Sequence, residues 1–181
     1  MHPVDIETCL DSMAILIDRR EQETEKAKKR YSAFSVPYSH ATLDYGDYTY
    51  NFMLPSKKWL YGADTLEKRI FPPVSIERKM NLDELAQCFT RDRKRFVAEF
   101  ERAKEHGARI YLLVENANFE NLINGKYKSR FQAKAYLASV TAFLARYDMK
   151  IIMCKAETSG KLIKEILYRE LRARLTNGEY G

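Results

Sequence analysis

Apolar residues along this chain fall into two recurring patterns, short runs of strand length and longer stretches with helical spacing. Residues 14–17 (Ala-Ile-Leu-Ile), 74–76 (Val-Ser-Ile, behind Pro72-Pro73), 109–115 and 150–154 have the length and composition of buried strands. Between them, residues 24–34, 91–106, 131–147 and 158–175 read as helices, and Gly107 closes the second of these. Asn81 followed by Glu84 makes a capping-box start for a further helix over 81–88. Residues 40–54 alternate about Gly46 and predict one or two antiparallel strands, with Asp47 near the bend. Residues 55–73, with Trp59, Tyr61 and Gly62, have no clear period and predict a loop or a short helix. Strands separated by helices imply an α/β protein with a mixed, largely parallel central sheet and helices on both faces.

A length of 181 residues is that of one domain with a real core. Residues 1–12 read as an N-terminal extension and 13–181 as the domain. Lys and Arg exceed Asp and Glu by 31 to 25, which is compatible with a polyanionic partner but is shared by many ordinary proteins. Cys9, Cys88 and Cys154 are odd in number and widely spaced, which indicates neither a disulfide framework nor a zinc site and suggests a reducing, cytoplasmic setting. His2, His40 and His106 lie far apart, so a histidine-based nuclease or zinc hydrolase has little support. No segment approaches the roughly 18 consecutive apolar residues of a membrane span, and the first dozen residues carry Asp5, Glu7 and Asp11 where a secretory signal needs basic residues.

The chemistry concentrates in two short segments. Side chains two apart on a strand share a face, so Glu77 and Lys79 point together and Arg78 points the other way as a structural or carboxylate-orienting group. A carboxylate offers hard oxygen to magnesium or manganese, and a nearby ammonium can stabilise the charge that develops on an attacked phosphate. Asp18 directly follows a buried apolar run, at the strand end where α/β sites form; Glu115 follows another such run. Glu21 either joins the site or is the first acidic residue of the next helix, and Asp83 either serves the site or complements the helix dipole. Ser159-Gly160-Lys161-Leu162 lacks the spacing and hydroxyl of a phosphate loop and reads as a helix start.

The order Gly46-Asp47, a gap, Glu77-Arg78-Lys79, three residues, Asp83 resembles the G-D-Xn-E-R-K-x3-D signature of the XPF/Hef family of structure-specific DNA endonucleases, within the restriction-endonuclease-like superfamily. Residues 14–21, with Asp18-Arg19-Arg20-Glu21, resemble that family's first strand, and 111–115 the strand after its basic helix; the likeness spans about residues 13–175. The resemblance implies a three-layer restriction-endonuclease-like fold and a magnesium- or manganese-dependent endonuclease acting on branched or junction DNA in repair or recombination. Asp47 and Glu77 would hold the metal with Asp18 as a third acid, Lys79 would stabilise charge or assist proton transfer, and Glu21 and Asp83 would orient water or neighbouring groups. Family members commonly append helix-hairpin-helix or helicase domains, which this sequence lacks. The motif equally fits a Holliday-junction-resolving or restriction-type enzyme, and a catalytically silent DNA-binding scaffold is the remaining alternative. A cytoplasmic, nucleoid-associated setting follows if the host is bacterial or phage.

Two surfaces complete the reading. At 100° per residue Arg91, Arg95 and Arg102 fall nearly on one line opposite Phe96, Val97, Phe100 and Ala103, which makes them either DNA contacts or a solvated basic face. Apolar residues run almost all the way round the helix over 131–147, and Leu162, Ile163, Ile166, Leu167, Leu171 and Leu175 stripe the last one. Together they would form a two-fold patch, as the resemblance implies for a homodimer, unless the former helix is sandwiched inside the monomer.

Overall fold

The structure is a computed structural model that describes residues 1–180, apart from the side chain of Leu66; residue 181, the expected end of the domain, lies outside the described residues. In chain order it comprises α1 (Pro3–Asp11), β1 (Ala14–Asp18), α2 (Glu25–Ser32), β2 (Tyr38–Leu43), β3 (Tyr48–Asn51), α3 (Ala63–Leu66), β4 (Arg69–Ile70) and β5 (Val74–Lys79). There follow α4 (Leu82–Phe89), α5 (Arg93–Glu105), β6 (Arg109–Glu115), α6 (Phe119–Ile123), α7 (Ala133–Tyr147), β7 (Lys150–Cys154) and α8 (Ala156–Thr176).

Among the described residues seven strands make one sheet, in the order β4-β2-β1-β3-β5-β6-β7. β3 is antiparallel to both its neighbours, β1 and β5, while the remaining pairings are parallel, which gives the mixed, largely parallel sheet expected. Residues 40–54 do hold two strands of opposite direction, but they form no hairpin. β2 pairs with one edge of β1 and β3 with the other, so the turn 44–47 passes over the carboxyl end of β1. That crossing is pinned by the Asp18 N–H donating to the Asp47 carbonyl at 2.8 Å and the Arg19 N–H to the Ala41 carbonyl at 2.9 Å. Residues 55–73, expected as a loop or short helix, contain α3 and the two-residue edge strand β4.

Helices cover both faces, as alternation along the central strands requires. Leu113 of β6 joins Ile15, Ile17, Val74 and Ile76 beneath α1, α2 and α8. Ile110, Leu112 and Val114 face the other way, into the layer of α4, α5 and α7. In α8, Ile163, Leu167, Leu171 and Leu175 recur every fourth residue and are fully buried, each contributing roughly 1.5–3 kcal/mol by its removal from water. Gly160 lies inside α8, where an added Cβ would sit 2.4 Å from the Arg30 carbonyl, so its lack of a side chain lets α8 cross directly on α2. Residues 1–12 supply α1, which buries Cys9 and Leu10 in the same layer and pairs Glu7 with Arg172 at 2.9 Å.

α7 packs through Tyr136, Val140, Phe143 and Tyr147 and exposes Ala135, Ala138, Ala142 and Ala145 on its outer side. It is therefore not sandwiched against α8. The two helices belong to opposite layers and the α8 stripe is consumed in the core, so the continuous two-helix patch expected from the sequence does not form. Among the described residues no helix is long and apolar enough to cross a membrane.

Candidate active site

The carboxyl end of β5 and the 44–47 turn meet at a cleft of about 900 Å³. Glu77 and Lys79 project from β5 toward α4 and α5, where the Lys79 Nζ lies 5.8 Å from the Phe96 ring centroid. Asp47 is brought beside them by backbone geometry. Gly46 adopts φ +73°, and a Cβ there would fall 2.3 Å from the Ser75 Oγ, so the turn can press onto β5 only with glycine. The Asp47 N–H then donates to the Ile76 carbonyl at 2.7 Å, and its Oδ2 accepts the Arg78 N–H at 2.7 Å. The start of α4 is capped as its sequence indicates, Asn81 Oδ1 accepting the Glu84 N–H at 2.9 Å, while Glu84 Oε2 reaches one residue past the N-cap to accept the Met80 N–H at 2.6 Å.

Burial and like charge set the protonation of this cluster. Burial, then the neighbouring Glu77 charge, pushes the Asp47 carboxyl well above the usual carboxylate range, against the opposing pull of Lys79. Burial likewise holds Glu77 up at about 7, with Lys79 opposing and Glu99 adding to the rise. Burial alone would lower the Lys79 ammonium, but Glu77 and Asp47 outweigh it and hold it above its ordinary value, with the Nζ donating directly to Glu77 Oε1.

On the opposite face of β5 lies a second, balanced set of charges. Arg78 pairs with Glu21 at 3.1 Å and Glu115 at 3.3 Å, and Arg30 of α2 pairs with the same two acids at 3.5 and 3.0 Å. Tyr48 donates its hydroxyl to Glu21 at 2.9 Å. Two guanidinium groups and two carboxylates thus neutralise one another where β1, β5, β6 and α2 converge. They also hold Arg78, whose N–H fixes Asp47.

The other residues expected at the site fall in different places. Asp18 does not line the cleft: its Oδ1 accepts from the Arg20 N–H and Nε at 2.8 and 2.6 Å, and its Oδ2 from the Leu43 N–H at 2.8 Å and Arg20 Nη2 at 3.1 Å. With both oxygens engaged it braces Arg20 and the end of β2 and is not brought into the cleft with Asp47 and Glu77. Asp83 also lies outside the cleft lining, where its Oδ1 accepts the N–H groups of Lys128 and Ser129 at 2.7 and 2.6 Å and ties down the segment before α7. Arg91 is not on the α5 stripe: the chain breaks at Thr90, α5 begins at Arg93, and Arg91 reaches back to Gln87. Arg95 and Arg102 do line the cleft, and between them on the same helix face is Glu99, which the sequence reading missed. Glu99 Oε1 accepts the Gly46 N–H at 2.7 Å. Its spacing, four after Arg95 and three before Arg102, was the available signal.

Among the described residues no group of three or more His, Cys, Asp or Glu side chains is arranged as a ready cation site. Asp47 and Glu77 nonetheless fit a hard divalent ion, since magnesium commonly binds through one or two carboxylates with water and substrate phosphate completing its shell. Burial holds both carboxyls up, with the Glu77 charge adding at Asp47 and Glu99 adding at Glu77, and a bound cation would relieve that charge.

Comparison with known proteins gives a consistent picture. A family model described as the ERCC4 domain matches residues 17–166. No curated protein matches the chain. Among solved structures, XPF from Aeropyrum pernix superposes with a TM-score of 0.57 at 16% identity, over 87% of this chain and 61% of that one. The same protein in complex with DNA gives 0.58 at 16% identity, over 90% of this chain and 66% of that one. The chain thus spans about three fifths to two thirds of the length of those structures. With the match covering most of its length, and with the sheet and helix layers described above, the chain belongs to the ERCC4-domain family and has the restriction-endonuclease-like fold of an XPF-type nuclease domain.

Proposed function

We propose that this domain is a magnesium- or manganese-dependent endonuclease that hydrolyses phosphodiester bonds of branched or junction-containing DNA. The observation that supports it most is the meeting of Asp47, Glu77 and Lys79 in one cleft, in a chain of a nuclease family. A solved relative in the same fold is complexed with DNA, which favours the substrate class. The persistence of both acids and the lysine argues against a silent scaffold.

A bound divalent cation would supply Lewis acidity to the scissile phosphate and acidify the attacking water. Asp47 and Glu77 would hold it, Asp47 being oriented by the Arg78 N–H on Oδ2, which leaves its Oδ1 for this work. Lys79, kept protonated by the two acids, would stabilise negative charge on the attacked phosphate as a donor and not act as a base. Arg95 and Arg102 would receive flanking phosphates along the cleft. Pairing of two copies belongs to the same reading, through the exposed alanine face of α7 and the partly exposed Leu137 and Leu144 beside it.

Asp47→Asn and Glu77→Gln test the reading. Each is expected to keep DNA binding and a cooperative unfolding transition while cutting falls roughly 100-fold or more, the usual scale for losing one such electrostatic group. A folded variant that cuts at the wild-type rate would remove that residue from the mechanism.

A further inference from the structure

An aromatic stack lies at the end of α5, the helix whose Arg95, Glu99 and Arg102 line the cleft, and plays no part in the chemistry described. Phe71 and His106 are stacked with ring centroids 4.3 Å apart and planes within 18° of parallel. Phe71 is 46% exposed, so one face of its ring is open to solvent. The stack is backed from within by Tyr45, fully buried, whose ring centroid is 6.1 Å from that of His106 and whose hydroxyl donates to the Pro72 carbonyl at 2.8 Å. The His106 Nδ1 lies 2.9 Å from the Arg102 carbonyl, which fixes the imidazole orientation at the end of α5.

Two arginines adjoin this stack along the chain, Arg69 two residues before Phe71 and Arg102 one helical turn before His106, and one buried acid aims both. Asp44 Oδ1 accepts Arg69 Nη1 at 2.8 Å, while its Oδ2 and its carbonyl accept Arg102 Nε and Nη2, each at 3.0 Å. The Asp44 N–H donates to the Ile70 carbonyl at 2.9 Å and so locks β4 to the same turn. A guanidinium has five N–H donors in a fixed fork. The acid holds one side of each fork, leaving Nη1 of Arg102 and Nε and Nη2 of Arg69 with no side-chain or carbonyl partner among the described residues. Asp44 precedes Asp47 by three residues, a backbone reach of at most ~11 Å, and Arg102 itself lines the cleft. Arg102, one turn before His106 on α5 and bonded to Asp44, therefore links the arginine pair and the stack to the cleft.

We propose that Phe71 and His106 form a base-stacking platform for a single-stranded DNA arm, with Arg69 and Arg102 holding its phosphates. A flat aromatic face exposed beside oriented cations is the arrangement that receives unstacked bases. Duplex offers it nothing, because its bases already stack on one another. The inference rests on the nuclease reading above and adds to it the strand that is held: the unpaired arm at a junction, within a few nucleotides of the cut.

The test is equilibrium binding of the full chain to three labelled DNAs without metal: a single-stranded thymidine oligomer, a blunt duplex, and that duplex with a single-stranded arm. Phe71→Leu, which keeps an apolar side chain but has no aromatic face, is expected to weaken the first and third about 10-fold, equivalent to ~1.4 kcal/mol. It should leave the blunt duplex within 2-fold, roughly the scatter of such measurements against the stacking effect. Phe71→Trp should restore binding, and His106→Ala should weaken it in the same pattern. Arg69→Gln should lower the slope of log K against log salt by about 0.7 on the single strand. Unchanged arm binding by Phe71→Leu, or an equal loss on blunt duplex, would overturn the platform. Junction cutting by the wild type with no Phe71 effect would sink the platform alone, whereas a wild-type chain that binds none of the three DNAs would sink the nuclease reading with it.

Discussion

Gly46 controls whether Asp47 reaches the site, because both its positive φ and the contact with Ser75 exclude a side chain. Gly46→Ala is expected to destabilise the fold by about 2–4 kcal/mol, the sum of a left-handed backbone penalty and a displaced strand. Urea unfolding measures this, and Ser75→Gly in the same chain should recover part of the loss, since the two positions touch. Glu77 gives a prediction that depends on pH. Its carboxyl stays protonated in the folded protein up to about 7, while an ordinary glutamate ionises near 4.5. The folded state therefore binds an extra proton between those values, and the Glu77 contribution to stability falls as pH rises through that window. The stability of Glu77→Gln relative to the metal-free wild type should accordingly improve by ~1–3 kcal/mol between pH 5 and pH 8. A pH-independent difference would mean that Glu77 is already ionised at pH 5.

At the scale of elements, α5 separates cations that face the cleft from those that do not. Replacing Arg95 and Arg102 together by Gln should reduce the slope of log K against log salt on duplex DNA by up to about 1.8, at roughly 0.9 per lost phosphate contact. Arg91→Gln should leave it unchanged, because Arg91 precedes the helix and bonds to Gln87. An equal effect from Arg91 would restore the three-residue stripe suggested by ideal helical periodicity. The break between α4 and α5 was expected, but α5 begins at Arg93 and not at 91, so Arg91 falls outside its helical phase. Where the local signal was complete the reading held: β6 and β7 occupy 109–115 and 150–154, and Asn81 caps α4 through the Glu84 N–H. Residues 40–54 hold the two strands of opposite direction that their alternation indicated, but alternation says nothing about which strand lies between two others, so the placing of β1 between them was not legible. Asp18 shows the same limit for a single residue. Its place after a buried strand was legible, but its capture by Arg20 and the Leu43 N–H depends on a turn 25 residues away in sequence.

For the whole molecule, the two charge sets have different consequences. The Arg30, Arg78, Glu21 and Glu115 network is balanced and joins α2, β5 and β6 to the segment after β1, so removing one member strands a buried charge. Arg30→Met is expected to cost about 3–5 kcal/mol, whereas a surface pair such as Lys28–Glu25 should be worth under ~1 kcal/mol. Thermal or urea unfolding of the two variants distinguishes these cases. The cluster of Asp47 and Glu77 with Lys79 is unbalanced by comparison, which suits a site that gains a cation with its substrate. Pairing of copies is a separate property of the assembly. Light scattering across a wide concentration range should give twice the chain mass, falling when Ala138 and Ala142 are both changed to Glu on the exposed side of α7. A constant single-chain mass would make that face ordinary surface.

Metal-assisted cutting of junction DNA in this cleft makes cleavage depend on both the branching of the DNA and the divalent ion present. End-labelled flap, fork, four-way-junction and linear duplex DNAs are incubated with the purified chain in magnesium, manganese, calcium or a chelator. Expected is cutting of at least one branched substrate in magnesium or manganese, little in calcium, whose larger and looser shell positions the reactants poorly, and none in chelator. Cutting that persists in chelator, or the absence of cutting from every branched substrate by a chain that binds them, would contradict the account.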